Sequence, residues 1–456
     1  MGKSGSSDHP TCMPPPDRFR YDGYSIDPAD SVVVCRYATG AHVFTERFAF
    51  DHGGDWDDPA VVSAVRILYL LAGVSYYKTS AAPLIDLGEM QTTAAERDFL
   101  HSFFANGLGE FSYRNGLDLR GLRLEGPDAG AVSPAGYEPD PDRPLIPFGG
   151  GIDSIVTVAS LVPDHPGAAL CVVEPPNQRF AAIEDAAAVA GLPVRRVVRT
   201  IDPLVRRSSE LGFLNGHVPV TAIVGAVALV AAVLDRRDAV VLSNEWSASV
   251  PTLVTDGLAV NHQWSKGADF EQAFGDLVLT ALGPGISVFS YLRPRSELWV
   301  AQRFAGLTQY HRSFRSCNRA FHQDPAQRLD HWCGRCDKCC FVDLVLAPFM
   351  DRVELEAVFA GDEPLQNPGI EERFRTLLGL GVGVKPFECV GDTDECRAAL
   401  VLAAQRPDRS SSELVARLRA ELGDLAPADP ATLLQPRGTH RIPDRYAPTD
   451  LLVRTR

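Results

Sequence analysis

Three glycines precede an acidic residue and a serine in the segment Gly149-Gly150-Gly151-Ile152-Asp153-Ser154, which follows an apolar stretch and opens a helix-like one. A Gly-rich turn of this kind lets backbone N–H groups approach phosphate oxygens, and the N-terminus of the next helix favours negative charge. The segment lacks the Gly-Lys-Ser/Thr ending of one common phosphate loop and the Gly-x-Gly-x-x-Gly spacing of another. We therefore expect residues 149–154 to bind phosphate, with an ordinary Gly-rich turn as the alternative.

Four cysteines lie at spacings that suit a metal ion. Two-residue gaps let consecutive thiolates reach one ion, and tetrahedral Zn2+ accepts four thiolates at about 2.3 Å and then has no position left for water. The sequence therefore predicts a structural zinc site whose ligands are Cys317, Cys333, Cys336 and Cys339. His331 or Cys340 could replace Cys317 as a ligand. An iron–sulfur cluster is the other metal-containing alternative, and a set of unligated buried thiols is the alternative without metal.

The elements that would position these residues alternate between strand and helix. The β-rich runs cover 145–148, 168–173, 194–199 and 239–242, and the helical patterns begin near Ser154 and cover 181–190 and 218–234. This alternation predicts an α/β fold with a doubly wound parallel sheet and crossover helices. Ligands bind such sheets beyond the carboxyl ends of the strands. Asn244 and Glu245 follow a predicted strand, so Asn244 suits a polar nucleotide or sugar pocket, and Glu245 could bind Mg2+ or a ribose or be a simple edge carboxylate.

Further elements flank this core. Before it we expect a hairpin of strands 31–37 and 42–50, helices 59–77 and 93–105, and a linker rich in Pro, Gly and Asp at 126–143. After it we expect helices at 353–359, 371–378, 397–404 and 411–422. The resulting plan is a disordered leader at 1–20, an N-terminal α+β unit at 21–140, a nucleotide-binding domain at 141–310, a zinc-binding segment at 311–350 and a helical C-terminal region at 351–456.

Composition limits the classes of partner. The chain has 456 residues, enough for two or three packed units. Its 44 Lys and Arg against 58 Asp and Glu give a net charge of -14, which disfavours a broad grip on nucleic acid. The run 218–234 is apolar but short for a bilayer span of about 20 residues, so we expect a buried helix and no membrane partner. Metal-spaced cysteines in a chain without a secretory leader favour the cytoplasm, and the oligomeric state stays open.

The glycine segment resembles the Ser-Gly-Gly-x-Asp-Ser signature of the PP-loop pyrophosphatase family, with Gly149 in the place of the first Ser. The resemblance implies a domain of the PP-loop type that cuts ATP between its α and β phosphates and transfers AMP to a substrate oxygen. It further implies that the amides of Gly149, Gly150 and Gly151, together with Ser154, hold the pyrophosphate. Asp153 would organise the loop or its Mg2+.

Five further blocks resemble the UDP-N-acetylmuramoyl-L-alanyl-L-glutamate epimerases of bacterial peptidoglycan synthesis. They cover residues 215–221, 243–249, 260–266, 332–341 and 385–391, and the resemblance extends over roughly residues 20 to 450. It implies a UDP-muramoyl dipeptide substrate whose terminal L-glutamate is converted to D-glutamate. A glutamate already linked to alanine has no free amine, so pyridoxal phosphate cannot form an imine with it. Adenylation of the α-carboxylate would instead acidify the α-proton, and hydrolysis after inversion would leave AMP and pyrophosphate.

Inversion calls for a base on each face of the α-carbon, or for one mobile group. The candidates within these blocks are Cys389, Glu388, His217, His262 and Lys266. Cys389 is the strongest, because it lies outside the metal cluster and thiolates act as bases in cofactor-free racemases. A buried inert thiol is its alternative, and His217 could instead be a helix-entry residue bonded to backbone. His262 and Lys266 could also contact phosphate or substrate carboxylates, or lie in a solvated loop.

Two other functions fit parts of the pattern. The cysteine spacing is similar to that of the 7-cyano-7-deazaguanine synthases, which are PP-loop enzymes, so a nucleobase- or tRNA-modifying enzyme is one alternative. The acidic composition opposes it, because such enzymes that grip tRNA need positive charge. The altered first residue of the loop is the single feature that favours the other alternative, a nucleotide-binding or scaffold protein without catalysis.

Overall fold

The computed structural model describes residues 16–452 apart from 256, 323, 382–384, 410, 426 and 428. The strands are β1 Arg18–Asp27, β2 Val32–Thr39, β3 His42–Phe50, β4 Leu84–Asp86, β5 Arg123–Glu125, β6 Pro144–Pro147, β7 Ala169–Glu174, β8 Val194–Thr200, β9 Ala239–Leu242, β10 Leu253–Thr255, β11 Leu258–Val260 and β12 Ser287–Ser290. The helices are α1 Pro59–Ala72, α2 Val74–Tyr77, α3 Ala94–Gly107, α4 Gly109–Asn115, α5 Ile152–Leu161, α6 Ala181–Ala190, α7 Pro203–Arg206, α8 Ser208–Leu211, α9 Val220–Leu234, α10 Ala268–Leu282, α11 Glu297–Ala305, α12 Asp337–Leu346, α13 Arg352–Val358, α14 Glu371–Leu377, α15 Thr393–Ala404, α16 Glu413–Leu422 and α17 Thr449–Leu452.

Ten of these strands form one mixed, mostly parallel sheet in the order β12-β9-β6-β7-β8-β3-β2-β1-β4-β5. The five strands from β12 to β8 are parallel, and β3 joins them by pairing antiparallel with β8. The α/β class is therefore confirmed. The strands of the N-terminal unit and the parallel strands share this sheet. Strands β1, β4, β5 and β12 were not predicted.

Two hydrophobic cores cover the two faces of the sheet. Successive residues of a strand point to opposite faces, so Leu145 packs into one core and Ile146 into the other. The first core contains buried residues of α1, α9 and α10, and the second contains those of α5, α11 and α12. Burial on both faces explains the uninterrupted apolar character of β6 and β9.

Most of the predicted elements occur where the sequence places them. The hairpin of β2 and β3 turns at Gly40, whose φ of +55° suits glycine. Helix α3 begins after Thr93, which forms a reciprocal capping pair with Glu96. The helix predicted at 59–77 is divided at Gly73 into α1 and α2. In the tail, α15 begins at Thr393, four residues before the predicted start at 397.

The prediction of an N-terminal leader needs a correction. The leader predicted at 1–20 extends too far, because β1 already begins at Arg18 and pairs with β2 and β4. The rest of that prediction falls on residues 1–15, which lie outside the described residues. Among the described residues one helical stretch, Pro59–Tyr77, is long and apolar enough to cross a bilayer by length and composition, and 83% of its apolar window is buried within the protein.

Candidate active site

The glycine segment forms the turn between β6 and α5, with Gly151 at the N-cap of the helix. Gly150 has a φ of +71°, and a Cβ there would lie 2.3 Å from the carbonyl oxygen of Ala182. Only glycine fits this position. Gly149 faces open space, so packing would also accept the serine of the related signature there. The Ser154 hydroxyl donates a hydrogen bond to the carbonyl oxygen of Gly151 at 3.1 Å, which tightens the turn.

Three carboxylates meet beside this turn. Asp153, Glu245 and Glu297 follow the carboxyl ends of the neighbouring strands β6, β9 and β12, and each offers one oxygen within 4.8 Å of the others. Burial and then the charge of Glu245 raise the pKa of Asp153 to about 6. Burial and then Asp153 raise the pKa of Glu297 well above its usual value. A divalent cation would relieve this crowding, and oxygen ligands suit Mg2+.

Lys266 lies between these carboxylates and Cys389. Its Nζ is 3.4 Å from the Cys389 Sγ. Burial alone would lower the pKa of Lys266, but the charges of Cys389, Glu245 and Asp153 outweigh it and raise that pKa. The ammonium group therefore stays charged and electrostatically links the thiol to the carboxylates.

Cys389 is held in a positive environment. Burial would raise the pKa of its thiol, but Lys266, His262 and the charge of Lys338 together lower it to about 6. Lys338 also donates a hydrogen bond from its Nζ to the Cys389 carbonyl oxygen at 2.5 Å. At neutral pH the thiol is therefore largely a thiolate, which is the form that acts as base or nucleophile.

Both predicted histidines belong to the same site. The rings of His217 and His262 have centroids 4.2 Å apart. Nδ1 of His262 is 2.5 Å from a carboxylate oxygen of Glu110 on α4. Burial would lower the pKa of His262, but Cys389 and Glu110 raise it to about 9, whereas burial and the charge of His262 lower that of His217 to about 4.

One cavity of about 250 Å³ joins the turn to the thiol. The predicted residues Gly151, Asp153, Lys266, Glu388 and Cys389 line it together with several that were not predicted. Those are Ile152, Glu297, Ala301, Ser316, Asn318, Lys338, Phe341, Val342 and Val345. Glu388 is held at the wall by Asn318, whose Nδ2 donates to the Glu388 Oε1 at 2.8 Å. Phosphate-loop chemistry and proton transfer could therefore occur in one chamber.

Two residues near the carboxylates have supporting contacts. Asn244 does not line the cavity, because its side-chain amide donates to the Ser290 hydroxyl at 3.0 Å and links the ends of β9 and β12. Arg293, which sequence reasoning missed, is buried and donates to the carbonyl oxygens of Glu245 and Lys266. Its charge is balanced by Glu271 at 2.8 Å. Arg293 thereby fixes the backbone of Glu245 and Lys266.

The four predicted cysteines come together. Their sulfur atoms are 3.9 Å apart for Cys317 and Cys336, 3.6 Å for Cys333 and Cys339, and 3.5 Å for Cys336 and Cys339. A tetrahedron of thiolates 2.3 Å from one ion has edges of about 3.8 Å, so the donor set and its spacing fit a single tetrahedral ion. Cys340 is buried outside this group, and His331 is exposed beside Asp330.

The cysteine group also helps to position Lys338, which lines the cavity. Helix α12 begins at Asp337, directly after Cys336, and Lys338 is therefore placed between two of the cysteines. An ion bound by the cysteines would fix the first turn of α12 and with it the Lys338 ammonium group beside Cys389. Because Lys338 lies between Cys336 and Cys339, the Cys-x2-Cys spacing was the sequence signal that could have identified it.

Comparison with family models divides the chain into two matched regions. Residues 12–291 match the MurL N-terminal domain and residues 313–433 match the MurL C-terminal domain. The first region contains the Gly-rich turn, the first two carboxylates and Lys266, and the second contains the cysteine group, Lys338 and Cys389. The cavity is thus built from both regions.

Relatives with curated names match nearly the whole chain. A protein of Xanthomonas oryzae pv. oryzae is 37% identical over 90% of this chain and 94% of its own length. One of Salinispora tropica is 38% identical over 94% and 95%, and one of Micromonospora sp. is 37% identical over 94% and 97%. Each is named UDP-N-acetyl-alpha-D-muramoyl-L-alanyl-L-glutamate epimerase. No solved structure matches.

Proposed function

Because the chain belongs to the family of UDP-N-acetyl-alpha-D-muramoyl-L-alanyl-L-glutamate epimerases, we propose that it converts the terminal L-glutamate of UDP-MurNAc-L-Ala-L-Glu to D-glutamate during peptidoglycan precursor synthesis. The single observation that carries the mechanism is that one cavity is lined by both the Gly151 turn and Cys389. A site that only bound a nucleotide would have no use for a charged thiolate beside the phosphate loop.

The turn after β6 supplies the ATP site in this proposal. The chain leaves β6 toward β7 and β8 on one side and returns through β9 and β12 on the other. This order supports our proposal of a doubly wound sheet of the PP-loop type. The Gly-rich turn lies where that order reverses, and helix α5 starts directly after it. Its backbone N–H groups and Ser154 would hold the pyrophosphate of ATP while AMP is transferred to the α-carboxylate of the substrate.

Asp153, Glu245 and Glu297 would hold Mg2+. The ion would neutralise charge on the phosphates during transfer. All three are oxygen donors that follow three adjacent strands, and Glu297 is 8% exposed with no hydrogen bond to its carboxylate among the described residues. Lys266, next to this group, would hold the substrate carboxylate or a phosphate oxygen by its positive charge.

Cys389 would remove the α-proton. Adenylation removes the negative charge of the carboxylate and makes the α-proton more acidic, so a thiolate base becomes sufficient. Lys266 and His262 keep the thiolate charged before the reaction, and Lys266 would stabilise the negative charge that develops on the acyl oxygen. Glu388, which also lines the cavity, is the candidate that would pass a proton taken from solvent to the other face, while Cys389 later returns its proton to solvent. Water then hydrolyses the inverted acyl adenylate.

The cysteine group would hold a structural Zn2+. Sulfur–sulfur distances of 3.5 to 3.9 Å favour a single tetrahedral ion over a cluster of iron and sulfide atoms, and a filled tetrahedron offers no open position for catalysis. The ion would stabilise the start of α12.

We further propose that the enzyme works in the cytoplasm, where its nucleotide-linked substrate and ATP occur, without nucleic acid or membrane partners.

The alternative of a nucleobase- or tRNA-modifying enzyme gains no support from these relatives, which are named as epimerases. A catalytically inactive scaffold would not need the ion pairs around Cys389. Neither alternative is favoured by a separate feature of the cavity.

The test is incubation of the protein with ATP, Mg2+ and the UDP-muramoyl dipeptide in deuterated water. The proposal expects AMP and pyrophosphate, deuterium at the α-carbon of glutamate, and D-glutamate after hydrolysis of the product. Omission of ATP should abolish the exchange. AMP formation without α-deuterium would contradict the epimerase function, and exchange without ATP would contradict adenylation.

A further inference from the structure

One buried carboxylate near the cavity has no part in the function described so far. Glu110 lies on α4 in the N-terminal part of the chain and is 5% exposed. One carboxylate oxygen is 2.5 Å from Nδ1 of His262, and the other accepts a hydrogen bond from Nε of Arg114 at 2.6 Å. His262 in turn interacts with the Cys389 thiol and lowers its pKa. Glu110, His262 and Cys389 therefore form a chain of interactions, which we term the relay.

We propose that Glu110 is a positioning residue, which orients His262 and holds it as an imidazolium so that Cys389 remains a thiolate. A base that orients a second base beside a nucleophilic or proton-accepting atom is a recurring arrangement in enzymes. The inference rests on the proposed function for what the thiolate does, but the thiolate itself can be measured without substrate. It makes the N-terminal part of the chain a contributor to the catalytic site.

The charges around the relay support this assignment. Cys389 faces Lys266 from the segment before α10, Lys338 from α12 and His262, all of which are cationic when protonated. His262 faces Glu110 from α4 and His217, and Glu110 also faces Arg114. Glu110 is the anion that favours the charged form of His262 from the side opposite the thiol.

The directions of the pKa shifts agree with the assignment of Glu110 as a positioning residue. Burial would raise the pKa of Glu110, but His262 and Arg114 lower it, so the carboxylate is ionised at neutral pH. The pKa of His262 is raised to about 9 and that of Cys389 is lowered to about 6. Between these two values the pair is thiolate and imidazolium. His217 is neutral in this range, so it packs on His262 without adding a second positive charge.

Glu110, His217 and His262 are also residue types that bind metals, and their donor atoms lie within 4.8 Å of one another. Two donors that share one ion at about 2.05 Å in a tetrahedron are about 3.3 Å apart. The Glu110 and His262 atoms are 2.5 Å apart, which is closer than two ligands of one ion and corresponds to a short hydrogen bond between charged groups. The geometry therefore favours the relay over a second metal centre.

The experiment follows alkylation of Cys389 by iodoacetamide against pH, in the absence of ATP and dipeptide, by mass spectrometry of the peptide that contains it. In the native sequence the alkylation rate should rise with a midpoint near the pKa of about 6. In Glu110→Gln the midpoint should move upward by about one pH unit, because His262 loses the anion that keeps it charged. Glu125→Gln removes an exposed carboxylate from β5 and should leave the midpoint unchanged.

An unchanged midpoint in a folded Glu110→Gln protein would overturn the relay. If that variant does not fold, His262→Asn serves instead, and it should raise the midpoint by at least as much. Metal analysis of the native protein should find one zinc ion per chain, and a second transition-metal ion that is lost in Glu110→Gln would also overturn the proposal. None of these measurements depends on the epimerase reaction, so they fail or succeed separately from the proposed function.

Discussion

The ammonium group of Lys266 lies 3.4 Å from the sulfur of Cys389 and faces the carboxylates of Asp153 and Glu245 on its other side. One side chain thus connects the part of the cavity suited to Mg2+ and ATP with the part suited to proton transfer. A cation in this position stabilises the thiolate before the reaction and can stabilise negative charge on the substrate during it. The two chemical steps that we propose are therefore adjacent, and the adenylate need not leave the site before inversion.

Replacement of Lys266 by methionine should move the acid limb of the exchange reaction upward. The pKa of Cys389 is lowered to about 6 by several cations, of which Lys266 has the largest effect, so the active thiolate is lost as pH falls through about 6. Without Lys266 that loss should begin about one pH unit higher. The rate of α-deuterium incorporation against pH measures this, with Lys266→Arg as the variant that should restore most of the native profile. An identical acid limb in Lys266→Met would show that Lys266 does not control the thiol.

Replacement of Gly150 by alanine should destabilise the turn. A Cβ would lie 2.3 Å from the carbonyl oxygen of Ala182, and the φ of +71° is unfavourable for alanine. We expect a loss on the order of 2 kcal/mol in the free energy of unfolding and loss of ATP cleavage. Gly149→Ser is the matched control for stability, because that position faces open space. Equal melting temperatures for the two variants would contradict the described turn.

Replacement of Glu297 by glutamine should weaken Mg2+ binding. The variant keeps the size of the side chain but removes one of three crowded carboxylates, so it should stabilise the protein without Mg2+ and reduce the increase in melting temperature that Mg2+ produces. Thermal unfolding with and without Mg2+ measures both effects, with Glu125→Gln as the surface control. An unchanged response to Mg2+ in Glu297→Gln would remove Glu297 from the metal site.

Zinc should be lost from Cys317→Ser but retained in Cys340→Ser. Both cysteines are buried, but only Cys317 has its sulfur within the group of four. Loss of the ion should loosen the first turn of α12, displace Lys338 and slow exchange as well as lower the melting temperature. Elemental analysis of the two purified variants measures the metal directly. Equal zinc contents would show that Cys317 is not a ligand.

Features that depend on local sequence could be predicted. The glycine turn, the cysteine spacing and the hairpin at Gly40 are each specified within a short segment, because backbone conformation or ligand spacing is decided there. The same holds for most helices of the tail, where apolar periodicity and capping residues mark the bounds within a few residues.

Features that depend on strand order could not be predicted in the same way. Glu297 joins Asp153 and Glu245 because β12 lies beside β9 and β9 beside β6. Only two of the four residues of β12 are apolar, which is too short a signal to predict a strand. Glu110 reaches His262 because α4 packs against β11, which ends two residues before His262. Lys338 lies inside a motif that was interpreted as structural, so its side chain beside Cys389 was overlooked.

The most direct test of the proposed mechanism is whether the Cys389→Ala variant keeps ATP cleavage and loses exchange of the α-proton. The phosphate loop and the carboxylates remain intact in this variant, so ATP cleavage to AMP that depends on the dipeptide should continue. Incorporation of α-deuterium should fall by about 100-fold or more, because the proton-accepting thiolate is gone. Retention of AMP formation with loss of exchange is the result that we expect. Full exchange in a folded Cys389→Ala protein would contradict the central claim that Cys389 moves the α-proton.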